Sequence, residues 1–200
     1  YSGMLLANEA AYGKRAIPSY HFDNANVIVS LGADFLGTWL SPVEFAKQYS
    51  KGRKIDEKNL SLSKHYQFES ILSMTGANAD ERFTHRPSET GAVAAALLSA
   101  VSGGAVNVSD AKLKAGLEKA AKDLKAAGGS ALVVSGSNDV NVQLVVNAIN
   151  EAISANGKTI NWSITSNYRQ GIDAEMAALV ADMNAGKVGA LFIAGANPAY

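Results

Sequence analysis

The sequence predicts an α/β fold, a parallel sheet in layers with helices on both faces. Three observations carry this expectation. Apolar, β-favouring runs alternate with helix-length amphipathic segments, which is the pattern of a parallel sheet with right-handed crossovers. The runs Val27-Ile28-Val29-Ser30-Leu31 and Leu191-Phe192-Ile193-Ala194 are nearly continuous in apolar residues, as a strand buried on both faces requires. Each run breaks at a glycine, Gly32 or Gly195, and then presents a small residue and a short polar one, Ala33-Asp34 or Ala196-Asn197. The crevice at the carboxyl ends of such strands is where ligands sit, so Gly32, Ala33, Asp34, Gly195, Ala196 and Asn197 form the candidate site.

Taken in order, the run from Val27 is the first expected strand. Ser41-Pro42-Val43-Glu44 then starts a helix over residues 42–50, with proline at the first helical position and Ser41 and Glu44 at capping-box spacing. Residues 64–72 mix aromatic and β-branched side chains as a strand does, and the loop Thr75-Gly76-Ala77-Asn78-Ala79-Asp80 follows. Residues 91–101, rich in alanine and leucine, read as a buried helix. Ser102-Gly103-Gly104 divides the chain into two α/β portions, 1–102 and 103–200.

In the second portion, Leu113, Leu117, Ala120, Ala121 and Leu124 repeat at a period of 3.6 over residues 109–127, with lysines and acids on the solvated face. Gly128-Gly129 stops that helix. Strands are expected at 131–134, 159–164 and 189–193, separated by helices over 138–155 and 172–184.

Composition narrows the function. Acidic and basic residues balance at 18 each, so bulk electrostatics recruits neither nucleic acid nor a membrane surface. No apolar run approaches the length of a membrane span. Cysteine is absent, which excludes disulfides, zinc-thiolate sites and iron–sulfur ligation within these 200 residues. His21, His65 and His85 stand at separations that match no metal-binding spacing.

Catalytic signatures are equally sparse. There is no nucleophile elbow and no Walker loop, and Ser135-Gly136-Ser137 reads as a turn. Gly32-Ala33-Asp34-Phe35-Leu36-Gly37 lacks the middle glycine that lets a pyrophosphate approach the backbone, and Asp34 repels one. Asp34, Glu69, Asp80, Glu81 and Glu89 lie near expected strand ends, where convergence would make an acidic site; Asp80, Glu81, Arg82 and Arg86 are expected to form a local charge network.

Several longer phrases resemble one family. Ser2-Gly3-Met4-Leu5, Gly13-Lys14-Arg15-Ala16-Ile17-Pro18-Ser19-Tyr20-His21-Phe22, Ile28 to Trp39, Thr75 to Asp80 and Leu191 to Tyr200 are similar to the molybdopterin-oxidoreductase-like region of the large iron–sulfur subunit of bacterial alternative complex III. The first hundred residues carry the strongest likeness and the last ten a good one, while 103–188 agrees in layout. The resemblance implies Rossmann-like layers of the molybdopterin oxidoreductase kind, within a longer polypeptide.

It also implies a non-catalytic, structural and docking role in a quinol-oxidising respiratory electron-transfer complex. No molybdenum cofactor is implied, and iron–sulfur clusters lie elsewhere in the parent chain. The implied partners are a multihaem cytochrome c and integral membrane quinol-binding subunits, with no nucleic acid and no membrane span of the chain's own. The implied location is the periplasmic side of the bacterial inner membrane, with a twin-arginine signal ahead of Tyr1. On this resemblance Gly32, Ala33, Asp34, Gly195, Ala196 and Asn197 are a vestigial cofactor site. Active relatives carry a Pro-Gly-Thr-Asp-type loop where this chain has Pro87-Ser88-Glu89-Thr90, which fits a lost dinucleotide contact. The alternative is the catalytic domain of an active molybdopterin-dependent oxidoreductase.

Overall fold

A strand with every residue buried, β2 (Val27–Leu31), forms the centre of the sheet in the computed structural model, which describes residues 1–55, 57 and 60–198. It pairs in parallel with β3 (Lys64–Glu69) on one side and with β5 (Ala131–Ser135) on the other, and β4 (Glu81–Thr84) adds beyond β3. The spatial order is therefore β4-β3-β2-β5, all parallel. Strands from both halves of the sequence share this sheet.

Parallel neighbours need crossovers, and helices provide them. α2 (Pro42–Gly52) joins β2 to β3, the single turn α3 (Met74–Ala77) lies between β3 and β4, and α4 (Thr90–Val101) and α5 (Ala111–Ala127) connect β4 to β5. The odd and even residues of β3 show why both faces are covered. Tyr66 and Phe68 meet α5, where the Tyr66 hydroxyl donates to Asp123 at 2.5 Å and Phe83 stacks on Phe68 at 5.1 Å. Gly116 of α5 lies so close to Phe83 that a Cβ there would stand 2.5 Å from the ring. His65 faces the opposite layer, where Tyr49 of α2 and Phe35 pack on its ring. Phe22, Phe35, Phe45, Trp39 and Tyr20 continue that aromatic layer. Each such buried ring or aliphatic side chain contributes about 1.5–3 kcal/mol.

The sheet stops at β5 for a local reason. The Val133 N–H donates to the Asn150 carboxamide at 3.0 Å, and the Val133 carbonyl accepts from the same carboxamide at 2.8 Å. The Thr159 hydroxyl donates to the Ala131 carbonyl at 2.8 Å, and Gln143 donates to the Ser135 carbonyl at 3.1 Å. Buried backbone groups must be paired, and side chains here take the place of a neighbouring strand. Asn150 and Gln143 come from α6 (Val140–Ala152), on which α1 (Ser2–Tyr12) packs.

Several sequence expectations are corrected. β6 (Ile160–Ser166), expected in the parallel sheet, pairs antiparallel with β1 (Ile17–Tyr20), a strand the sequence pattern does not announce, in a separate two-stranded ribbon. Residues 189–193, expected as a strand, form no strand and have no ladder partner, and Phe192 is 93% exposed. β3 ends at Glu69 rather than reaching residue 72, and Ile71 and Leu72 are exposed. Ser41 makes no side-chain cap; Glu44 accepts from Gln48 one turn on instead of closing a capping box. The helices at 42–52, 90–101, 111–127, 140–152 and 173–184 fall where the pattern puts them, the last being α7 (Asp173–Asn184). Ala199 and Tyr200, the end of the last family-like phrase, lie outside the described residues.

Candidate functional site

β2 leads to β3 on one side, and β5 lies on the other side of β2, so the strand order reverses between the carboxyl ends of β2 and β5. This is the switch point at which open α/β sheets bind ligands. A crevice of about 470 Å³ opens there, with Leu31 and Gly32 at its base, Ser137 and Asp139 on one wall, and Thr90 and Gly91 on the other.

The base is built from close backbone contact. Gly32 takes a left-handed conformation, φ 69°, that L side chains rarely adopt, and its N–H donates to the Phe68 carbonyl at 2.8 Å. The Gly136 N–H donates to the Leu31 carbonyl at 3.1 Å, so close that a Cβ on Gly136 would sit 2.3 Å from the Gly32 carbonyl oxygen. Ala33 is fully buried and folded back on Ser30, whose hydroxyl accepts from the Ala33 N–H at 3.0 Å and donates to its carbonyl at 2.9 Å.

Asp34 turns away from the crevice to organise its own loop. One carboxylate oxygen accepts from both the Thr75 N–H, at 3.0 Å, and the Thr75 hydroxyl, at 2.8 Å. Its backbone carbonyl accepts from Gly37, Thr38 and Trp39. Gly37 is a glycine because a Cβ there would lie 2.1 Å from the Asp34 carboxylate.

Helix N-termini converge on this end of the sheet; those of α6, α1 and α7 meet groups from the chain itself, while α4 has no side-chain cap. The Asp139 carboxylate caps α6 by accepting from Asn141 at 2.7 Å and Val142 at 3.4 Å. The Asn138 carboxamide accepts from Gly3 of α1 at 3.0 Å and donates to Asp173, the first residue of α7, at 2.9 Å. The Asp173 N–H donates in turn to the Ser2 hydroxyl at 3.2 Å. On the opposite wall Thr90, at the start of α4, donates to the Pro87 carbonyl at 2.9 Å and accepts from His85 at 3.1 Å. That places the His85 proton on Nε2 and leaves Nδ1 buried without a hydrogen bond; burial holds the ring's pKa below the usual histidine value. Glu89, immediately before α4, accepts from the Arg86 N–H at 2.9 Å.

The chemistry of this crevice follows from its donors. A phosphate at a helix N-terminus needs free N–H groups and no competing anion. The leading amides of α6 already serve a carboxylate, and no Lys or Arg lines the crevice. Asp139 on the wall and the lack of a cation disfavour a pyrophosphate there. The sequence-predicted residues divide accordingly. Gly32 forms the base, Ala33 is sealed beneath it and Asp34 is spent on Thr75, while Gly195, Ala196 and Asn197 are exposed and do not line the crevice.

The other expected carboxylates do not converge. Glu69 is buried and holds Arg82 at 2.5 Å, Ser73 at 2.6 Å and Gln67 at 3.0 Å; burial alone would raise its pKa, but those bonds outweigh it and keep the carboxyl below its ordinary value. Asp80 pairs with both arms of Arg53 at 2.7 and 2.8 Å. Glu81 pairs with Lys64 at 3.2 Å and Lys119 at 2.7 Å. The expected network of Asp80, Glu81, Arg82 and Arg86 is thus three separate pairings, with Arg86 engaging Glu89 through its backbone.

A buried polar row runs along β3. Since Gln67 donates to Glu69, its carbonyl oxygen faces His65 Nε2 at 3.2 Å, which must be the protonated nitrogen; Nδ1 then faces the Tyr49 hydroxyl at 3.3 Å. Burial lowers the His65 pKa to about 4. Among the described residues no group of three or more His, Cys, Asp or Glu is placed to hold a metal ion, and no helix is long and apolar enough to cross a membrane.

The sequence pattern missed Asn138 and Asp139. Ser137-Asn138-Asp139 ahead of an apolar helix is a run of three cap-forming residues, and that signal was legible. Neither a family model nor a curated protein matches the chain.

Proposed function

We propose that the chain is a non-catalytic, structural and docking part of a quinol-oxidising respiratory electron-transfer complex of the alternative complex III kind. In this reading Gly32, Ala33, Asp34, Gly195, Ala196 and Asn197 are a vestigial molybdopterin site. The family-like phrases motivate the assignment. The observation that carries its non-catalytic half is one wall of the crevice, where Asp139 occupies the α6 amides that a dinucleotide phosphate would need and no Lys or Arg stands by. Its neighbours in the complex would be a multihaem cytochrome c and membrane-embedded quinol-binding subunits, on the periplasmic side of the inner membrane. The clusters that carry electrons would lie elsewhere in the parent chain, consistent with the absence of cysteine here.

The rival reading, an active molybdopterin oxidoreductase domain, draws on the position of the crevice at the switch point and the left-handed Gly32 at its base. Guanosine diphosphate and inorganic pyrophosphate separate the two. Neither raises the melting temperature of the chain at millimolar concentration if the crevice is vestigial. A saturable rise that Gly91→Asp abolishes supports the rival.

A further inference from the structure

The chain balances its charges over its whole length but not along α5. That helix carries five lysines against Glu118 and Asp123, whereas the full sequence holds 18 basic and 18 acidic residues. Lys119 and Asp123 are spent on the sheet, where Lys119 pairs with Glu81 at 2.7 Å and Asp123 with Lys64 at 3.3 Å. Lys114, Glu118, Lys122 and Lys125 form a separate stripe, because spacings of three and four residues return to the same side of a helix.

This stripe is one wall of a groove of about 300 Å³, and the turn Gly103-Gly104-Ala105 after α4 is the other. Ala100, Val106 and Ala121, all buried, also line it. Lys125 donates to the Ala100 carbonyl at 3.1 Å, which holds its ammonium at the groove and leaves it two further donors. Lys114, Glu118 and Lys122 are exposed, and their side chains make no hydrogen bond or ion pair among the described residues. Glu118 stands one turn from both lysines and closes on neither, so three ammonium groups and one carboxylate remain open to a ligand.

We infer that this groove docks an extended acidic segment of a partner protein. Length argues against a single small anion. Lys114 and Lys125 lie about 16 Å apart along the helix, the span of about five residues of extended chain. A nucleic acid is a poorer fit: the groove has no aromatic ring for a base to stack on and no arginine fork for a phosphate, and Glu118 repels a continuous phosphate backbone. A peptide can set an acid opposite each lysine and a neutral or basic residue opposite Glu118.

The test titrates hexaglutamate into the isotope-labelled chain at low salt and follows its amide chemical shifts. Saturable shifts confined to residues 103–106 and 114–125 are expected, with binding that weakens as sodium chloride is raised. Lys114→Glu combined with Lys122→Glu should weaken binding at least about tenfold. Lys47→Glu combined with Lys112→Glu changes the net charge equally outside the groove and should leave binding within about twofold. Glu118→Lys should tighten it, a gain that a misfolded variant cannot produce. The inference is overturned by the absence of saturable shifts, by shifts spread over lysines elsewhere, or by equal losses in the two double variants. Tighter binding of decathymidylate or inorganic polyphosphate than of hexaglutamate at the same salt also overturns it. No cofactor enters any of these readings, so the proposed function stands or falls separately.

Discussion

Gly136 shows how narrow the tolerance is at the crevice base. Its missing side chain lets the loops after β2 and β5 touch, and a Cβ would stand 2.3 Å from the Gly32 carbonyl, which is backbone and cannot rotate aside. Gly136→Ala should therefore cost about 1–3 kcal/mol in urea unfolding, the usual magnitude of overpacking. Asn150 tests the opposite fault, an unmet need. Asn150→Leu leaves the buried Val133 N–H and carbonyl without partners and should cost about 2–5 kcal/mol; exchange of the Val133 amide reads out the loss at its source. His65 links stability to pH. Its folded pKa, about 4, lies below the unfolded value, so its full contribution is present above roughly pH 6.5 and is lost progressively as pH falls toward 4. Stability should drop by about 3 kcal/mol across that window, and His85, also lowered by burial, acts with the same sign. Urea midpoints at pH 7 and pH 4.5 measure this, and His65→Gln should flatten the slope.

At the scale of elements, the cap of α6 is the part of the crevice most open to manipulation. Asp139→Ala removes the acceptor for Asn141 and Val142 and should cost about 0.5–2 kcal/mol by thermal unfolding. The helices were legible in the sequence because their period is long and repeated: Leu113, Leu117, Ala120 and Leu124 fix α5 without outside help, and all four are buried. Central strands were legible for a related reason, since Val27–Leu31 and Ala131–Ser135 are apolar throughout and buried throughout. β1 and β4 were not, because Ile17-Pro18-Ser19-Tyr20 contains a proline and Glu81-Arg82-Phe83-Thr84 is half charged; only their partners, β6 and β3, make them strands. The misplacement of residues 189–193 has a complementary cause. Intrinsic β preference marks a segment that can pair, and pairing needs a free edge, which β5, already met by Asn150, does not provide.

For the whole molecule, the topology was more legible than the site. Alternating strands and helices predicted a parallel sheet, and the order β4-β3-β2-β5 places a crevice where such sheets bind ligands. The sequence pointed to Gly32, which lies at that crevice, but side-chain direction was beyond it: Asp34 reaches Thr75, 41 residues on, and Asp139 reaches back to its own helix. Those two choices leave the crevice with its α6 amides taken and no cation in its lining, which is compatible with the scaffold role we propose. Metal analysis of the intact parent complex, with pterin fluorescence after oxidation, tests that reading most directly. Iron without molybdenum, tungsten or pterin is the predicted result. Molybdenum or tungsten together with pterin near one per chain would contradict it and make the crevice beside Gly32 the wall of a working active site.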